Sequence, residues 1–210
     1  MKYFLSIFSL LILASLTTCA KAQAVILNPT VDGTLFDFNN DGLGDFINPD
    51  ESVQAAGSFS RGIIEFDLSG ANTPSNAFLR LFKVEAVGPF PLAIDIYGYS
   101  ADGALSLADY GSGTFLRSFN YNDENTIDVD LTTDVQNAVT NTYSFLGLNL
   151  RLHDTFQQGP PPYAAFGSLD DFGPPSELHV TEKGGSVVPE PASLLLLGSG
   201  LFGISSRRKF

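Results

Sequence analysis

Apolar and β-branched residues recur in this chain as short runs punctuated by Gly, Pro, Asn and Asp: Ser52–Ala56, Gly62–Leu68, Ala77–Val84, Leu92–Tyr99, Thr114–Asn120, Thr126–Leu131, Tyr143–Leu152 and Glu177–Thr181. Runs of this length with a two-residue period read as strands, because alternate side chains of an extended backbone point to opposite faces. In Leu92–Tyr99 the residues Leu92, Ile94, Ile96 and Gly98 share one face while Asp95 sits on the other; in Ala77–Val84 both faces are largely apolar. Gly88-Pro89-Phe90-Pro91, Gly159-Pro160-Pro161-Pro162 and Gly173-Pro174-Pro175 mark loops, since proline breaks strand pairing. One short helix is expected over Thr132–Thr140, where Val135 and Val139 lie four apart and Thr132 or Thr133 can serve as the cap. No internal repeat is present. Together these signals predict an all-β fold: a single antiparallel β-sandwich, jelly-roll-like, over residues 25–182, with the helix plugging one end.

The ends differ from this middle. Lys2 precedes an uncharged apolar run, Tyr3–Leu16, followed by Thr17, Thr18, Cys19 and Ala20, the order of a secretory signal peptide. Two small-x-small sites, Ala20-Lys21-Ala22 and Ala22-Gln23-Ala24, place cleavage before Gln23 or before Val25, so residues 1–24 are assigned to the signal helix. An uncleaved anchor would share the apolar run but not these sites. Leu16-Thr17-Thr18-Cys19 also resembles a lipobox, although Thr18 is larger than the residue usual before a lipidated cysteine. With Cys19 removed, the mature chain has no cysteine and uses neither disulfides nor thiolate metal sites.

At the other end, a short flexible linker at 183–187 leads into Val188-Pro189-Glu190-Pro191, then 15 uncharged residues from Ala192 to Ser206, then Arg207-Arg208-Lys209 and Phe210. A bilayer crossing usually takes about 20 residues, and snorkelling arginines lengthen the effective span. The basic end should stay cytoplasmic while the signal peptide sends the rest across, giving a transmembrane sorting helix. Motif, apolar helix and basic tail in this order, over 188–210, closely resemble the PEP-CTERM sorting signal of Gram-negative bacteria, with Pro189, Glu190 and Pro191 as the motif. The resemblance implies processing near the motif by an exosortase, a membrane-embedded transpeptidase-like enzyme, after export through the Sec translocon. The protein would be held briefly in the inner membrane and then pass to the cell surface or extracellular polysaccharide.

A second, more degenerate resemblance lies in the middle. Arg61–Ser69, Ala77–Leu81, Val129–Val135 and Gly147–Leu150 are similar to DNRLRE-type β-sandwich domains of secreted proteins, which implies a jelly roll and, in some relatives, association with polysaccharide. The chain lacks Trp, the usual sugar-stacking residue.

Net charge is −12 over 210 residues, from 11 Lys and Arg against 23 Asp and Glu. Five of the cations (Lys2, Lys21, Arg207, Arg208, Lys209) but only Glu190 of the acids belong to the ends, so the remainder carries 6 basic and 22 acidic residues, −16. A nucleic-acid partner is excluded on that balance.

The sharpest local pattern is Asp37-Phe38-Asn39-Asn40-Asp41-Gly42-Leu43-Gly44-Asp45. Oxygens from Asp37, Asn39, Asp41 and Asp45, with the Leu43 carbonyl and a turn at Gly42, match the first half of an EF-hand-like Ca2+ loop. The closing Glu is missing, Asn48 standing at its spacing, and Asn-Asp-Gly is equally a hairpin turn. Enzyme signatures are poor. His153 and His179 end strand-like runs without Cys or His nearby, Gly111-Ser112-Gly113 lacks a nucleophile-elbow context, and Asp123-Glu124, Asp128-Asp130 and Asp170-Asp171 suit glycoside hydrolysis only at a separation that sequence does not give. Tyr97, Tyr99, Tyr110, Tyr121 and Tyr163 are either a sugar-stacking platform or, more often at alternating strand positions, core. The expected function is a non-catalytic structural or polysaccharide-associated module; the alternative is a secreted carbohydrate-active hydrolase using a carboxylate pair.

Overall fold

A computed structural model describes residues 22–49, 52–57, 59–153, 162–170 and 173–182. The expected signal helix up to residue 21, the linker at 183–187 and the sorting helix with Pro189, Glu190, Pro191, Arg207, Arg208 and Lys209 lie outside the described residues. Among the described residues no helix is long and apolar enough to cross a membrane.

The strands are β1 (Ala24–Leu27), β2 (Val31–Phe36), β3 (Phe46–Asn48), β4 (Val53–Ala56), β5 (Ser60–Asp67), β6 (Pro74–Val87), β7 (Leu92–Ala101), β8 (Thr114–Tyr121), β9 (Thr126–Asp130), β10 (Phe145–Leu152), β11 (Tyr163–Phe166) and β12 (Glu177–Glu182). They form one curled antiparallel sheet in the order β1-β12-β6-β11-β4-β5-β10-β7-β8, with β2 on β5, β3 on β2 and β9 on β6. The curl centres on β6. Its first part, Pro74–Phe82, pairs with β12 and β9, and its second, Lys83–Val87, pairs with β11. A strand of 14 residues therefore feeds two groups of neighbours and turns the sheet back over its own apolar face.

The alternation that predicts the strands also fills the core. Ala77, Leu79 and Leu81 of β6 meet Ile64 and Phe66 of β5, Leu92, Ile94 and Ile96 of β7, and Leu146, Leu148 and Leu150 of β10. Phe78, Arg80 and Phe82 take the outer side, as period two requires. The helix α1 (Thr132–Thr140) buries Val135 and Ala138 and packs against β6. Its cap differs from expectation: Leu131 is the N-cap residue and no side chain caps it. Thr132 instead donates its hydroxyl to Asp130 Oδ1 at 2.7 Å and accepts the Ala77 N–H at 3.0 Å, tying the helix start to the end of β9 and to β6.

β1 opens at Ala24, the last residue assigned to the signal, and pairs Ala24 with Thr181; Glu182 N–H donates to the Gln23 carbonyl at 2.9 Å. Cleavage before Gln23 leaves both interactions in the mature chain, whereas cleavage before Val25 removes both.

Candidate functional site

The outer face of β2, β5, β10 and β7 is where polar side chains gather. β5 is buried on both sides: Ile64 and Phe66 enter the core, while Arg61, Ile63 and Glu65 point outward. Register sets these outward residues in cross-strand rows. Gly33 lies opposite Ile63, Ile63 opposite Asn149, and Asn149 opposite Tyr97; one row away, Leu35 faces Arg61, and Arg151 faces Asp95, which in turn faces Ser118. Gly33, at φ +154°, admits no side chain, since a Cβ there would stand 2.8 Å from the Asn48 carbonyl oxygen and 2.9 Å from Leu105 Cδ2.

The connection between β7 and β8, with a 3₁₀ turn at Leu107–Tyr110, lies over this face. Asn149, fully buried, donates from Nδ2 to the carbonyls of Asp109 at 2.9 Å and Tyr110 at 3.1 Å. Arg61 Nη1 donates to the Tyr110 carbonyl and Arg151 Nη2 to the Ser112 carbonyl at 2.8 Å. Leu35, Ile63 and Tyr110 form a small second core under the turn, with Leu105 and Ile47 against it.

Burial sets the electrostatics. Glu65, 0% exposed, accepts from the Tyr99 hydroxyl at 2.9 Å and from the Gly103 N–H at 2.9 Å, and desolvation pushes its carboxyl up. The Tyr99 phenol is pushed up by its own burial and then by the neighbouring Glu65 and Asp109. Two guanidiniums lie flat on tyrosines: Arg61 Cζ is 3.9 Å from the Tyr110 ring centre and Arg151 Cζ 3.8 Å from that of Tyr97. Burial lowers both arginines, Arg151 to about 10, with the charge of Arg61 contributing to the latter.

The two histidines, read from sequence as lacking a Cys or His nearby, each meet a carboxylate. His153 Nδ1 lies 2.9 Å from Asp95 Oδ2, and Ser118 donates to Asp95 Oδ1. This is not a nucleophile arrangement, because the serine proton goes to the carboxylate and not to the imidazole. His179 Nε2 lies 2.7 Å from Glu177 Oε2 and its ring stacks on Phe78 at 4.6 Å. The acidic pairs are engaged individually: Asp128 with Arg80 at 2.7 Å, Asp123 with Lys83 at 3.1 Å, Glu124 with the Asn122 N–H at 2.8 Å, and Asp130 with Thr132. Asp170 is exposed, and Asp171 lies outside the described residues. Ser112 donates its hydroxyl to the Ala108 carbonyl.

The tyrosines do not make one platform. Tyr110 and Tyr121 are fully buried, Tyr121 edge-on to Phe166, while Tyr97 and Tyr99 belong to the network just described and Tyr163 opens β11. The exposed aromatic cluster is made of phenylalanine. Phe36, Phe38 and Phe46 bring ring centres within 5.6–6.4 Å of one another, with Phe38 70% exposed. The sequence signal for it was the placing of three Phe around the acidic loop.

That loop, 37–45, joins β2 to β3 and curls around its own carboxylates. Asp37 accepts the N–H groups of Asp41 at 3.2 Å and Gly42 at 2.8 Å; Asp45 accepts those of Phe38 and Asn39; Asp41 accepts that of Leu43. Gly42 sits at φ +87°, as the turn requires, and Leu43 is exposed. Asp37 is 1% exposed. Among the described residues no three His, Cys, Asp or Glu side chains converge as a metal cluster.

Comparison with known proteins gives one positive finding. Residues 187–209 match the PEP-CTERM protein-sorting motif. No curated protein matches the chain. The motif marks an exported protein targeted to an exosortase, sorted to the envelope and surface of a Gram-negative bacterium.

Proposed function

We propose that the protein is a non-catalytic structural or polysaccharide-associated module, held briefly in the inner membrane by its tail and released to the cell surface or extracellular matrix. The observation that carries this reading is the sorting motif at 187–209, following directly on a cysteine-free, strongly acidic β domain. Several features support it. The curled antiparallel sheet folds over one apolar core, which is compatible with a jelly-roll sandwich. Titratable groups of the outer face serve to hold the β7–β8 connection. The exposed Phe38 and Phe46, backed by the half-buried Phe36, offer apolar ring faces for a sugar's C–H surface. In this reading the 37–45 loop takes Ca2+, with the oxygens of Asp37, Asn39, Asp41 and Asp45 exchanging the backbone N–H groups they accept for the ion.

A glycan array run beside a turnover assay on extracellular polysaccharide tests the proposal. Binding without turnover is expected. Turnover abolished by a carboxylate-to-amide change would replace this reading with a hydrolase.

A further inference from the structure

Five basic residues lie among the described ones: Arg61, Arg80, Lys83, Arg117 and Arg151. Three are ion-paired, Arg80 with Asp128, Lys83 with Asp123 and Arg117 with Asp134. Arg61 and Arg151 have no ion-pair partner among the described residues, in a domain where acids outnumber bases more than threefold. They are also neighbours. The β5–β10 register ends with Gly62 opposite Leu150; Arg61 and Arg151 come next on the two strands, both donate to carbonyls of the β7–β8 connection, and the charge of Arg61 acts on Arg151. The flanking carboxylates make their hydrogen bonds elsewhere, Asp95 to Ser118 and His153 and Asp37 to the Asp41 and Gly42 N–H groups, and reach the arginines only through their charge.

We propose that Arg61 and Arg151 together form a binding site for the oxyanion groups, carboxylate or sulfate, of an acidic polysaccharide; this rests on the polysaccharide-associated reading above. Each guanidinium is fixed before any ligand arrives. A tyrosine ring backs it, and a carbonyl holds one edge, that of Tyr110 for Arg61 and that of Ser112 for Arg151, with Asn149 Oδ1 accepting from Arg151 Nε at 3.0 Å. Both side chains stay half-buried, so they remain partly open to solvent. A planar fork held this way matches a carboxylate or sulfate through paired N–H···O bonds, and pre-orientation removes much of the entropy loss of binding. Burial first and the charge of Arg61 second lower Arg151, and an oxyanion between the two guanidiniums relieves the repulsive part. The net negative charge of the domain opposes indiscriminate polyanion adsorption, which confines the attraction to this pair.

The test measures binding of the purified full chain to polygalacturonate, dextran sulfate and uncharged dextran by calorimetry, with melting curves on each variant. Arg151→Gln is compared with Arg80→Gln, which alters an exposed ion pair away from this face. Because Arg151 also holds the Ser112 carbonyl, Arg61→Lys is the second variant, keeping charge but losing the fork. Wild-type binding to an acidic polymer, weakened roughly tenfold or more by Arg151→Gln and by Arg61→Lys but not by Arg80→Gln, is the expected result. Preference for polygalacturonate or dextran sulfate then identifies uronate or sulfate ester as the group bound. Undiminished binding in both site variants overturns the proposal. Binding to dextran alone removes the arginine site and leaves the polysaccharide reading standing; binding to no polymer, here or on the array, removes both.

Discussion

The two faces of β5 are buried by different means. Inward, Ile64 and Phe66 join an apolar core in which position follows from volume and water exclusion. Outward, Arg61, Ile63 and Glu65 lie under the β7–β8 connection, where the side chains are held by donors and acceptors as much as by packing. The inner face should tolerate apolar exchange of similar size, whereas the outer face should respond to the loss of single polar atoms. Each region can be broken separately.

The largest effect is expected inside. Phe66→Ala, at a fully buried position, should cost ~3–5 kcal/mol in urea unfolding, and a loss near that of a surface change would deny that β5 anchors the core. Outside, Glu65→Ala strands the Gly103 N–H and removes one of the two carboxylates on the Tyr99 hydroxyl, with an expected cost of ~2–3 kcal/mol; Glu65→Gln, which retains an acceptor, should cost distinctly less. If both variants unfold alike, hydrogen bonding is not what holds the connection.

Asp32 sharpens the contrast, because it is a buried carboxyl on the core-facing side of β2, opposite Ile64. Burial pushes it up to about 6, against the lowering effect of the Leu169 N–H at 3.1 Å. Between about pH 4 and 6 the folded chain holds this proton and the unfolded chain does not. Stability from this group therefore falls as pH rises through that window and is lowest above it. Asp32→Asn should then stabilise the protein at pH 7 by up to ~2–3 kcal/mol, with the gain vanishing near pH 4. Equal effects at both pH values would contradict the assignment.

A smaller effect is expected at the 37–45 loop. Free Ca2+ at roughly ten times its Kd should raise stability by about 1.4 kcal/mol over EDTA, and Asp37→Asn should abolish the gain. Melting that ignores Ca2+ would leave the loop a self-bonded hairpin. Least of all, Arg80→Gln, on an exposed ion pair, should leave the unfolding midpoint within error.

The inner face was legible because apolar alternation specifies it: all eight expected runs are strands, and the helix occupies Thr132–Thr140 as expected. β2, β3 and β11 carried weaker signals. Val31–Phe36 includes Asp, Gly and Thr, Phe46–Asn48 is three residues, and Tyr163–Phe166 follows a proline run. β1 starts at the signal boundary. The outer face was hidden for another reason. Arg61, Tyr97, Tyr110, Asn149 and Arg151 meet only through strand register, which a local pattern does not contain, so Arg61, Asn149 and Arg151 read only as parts of strand segments while the tyrosines read as core or platform. Asp95 likewise read as the solvent side of a half-buried strand and is 7% exposed.

Mass spectrometry of the mature termini tests the central claim most directly. Processing predicts an N-terminus at Gln23, which preserves its bond to Glu182, and a C-terminus near Pro189–Pro191 with the apolar and basic tail gone. Surface protein that retains an intact tail through Phe210 would contradict it.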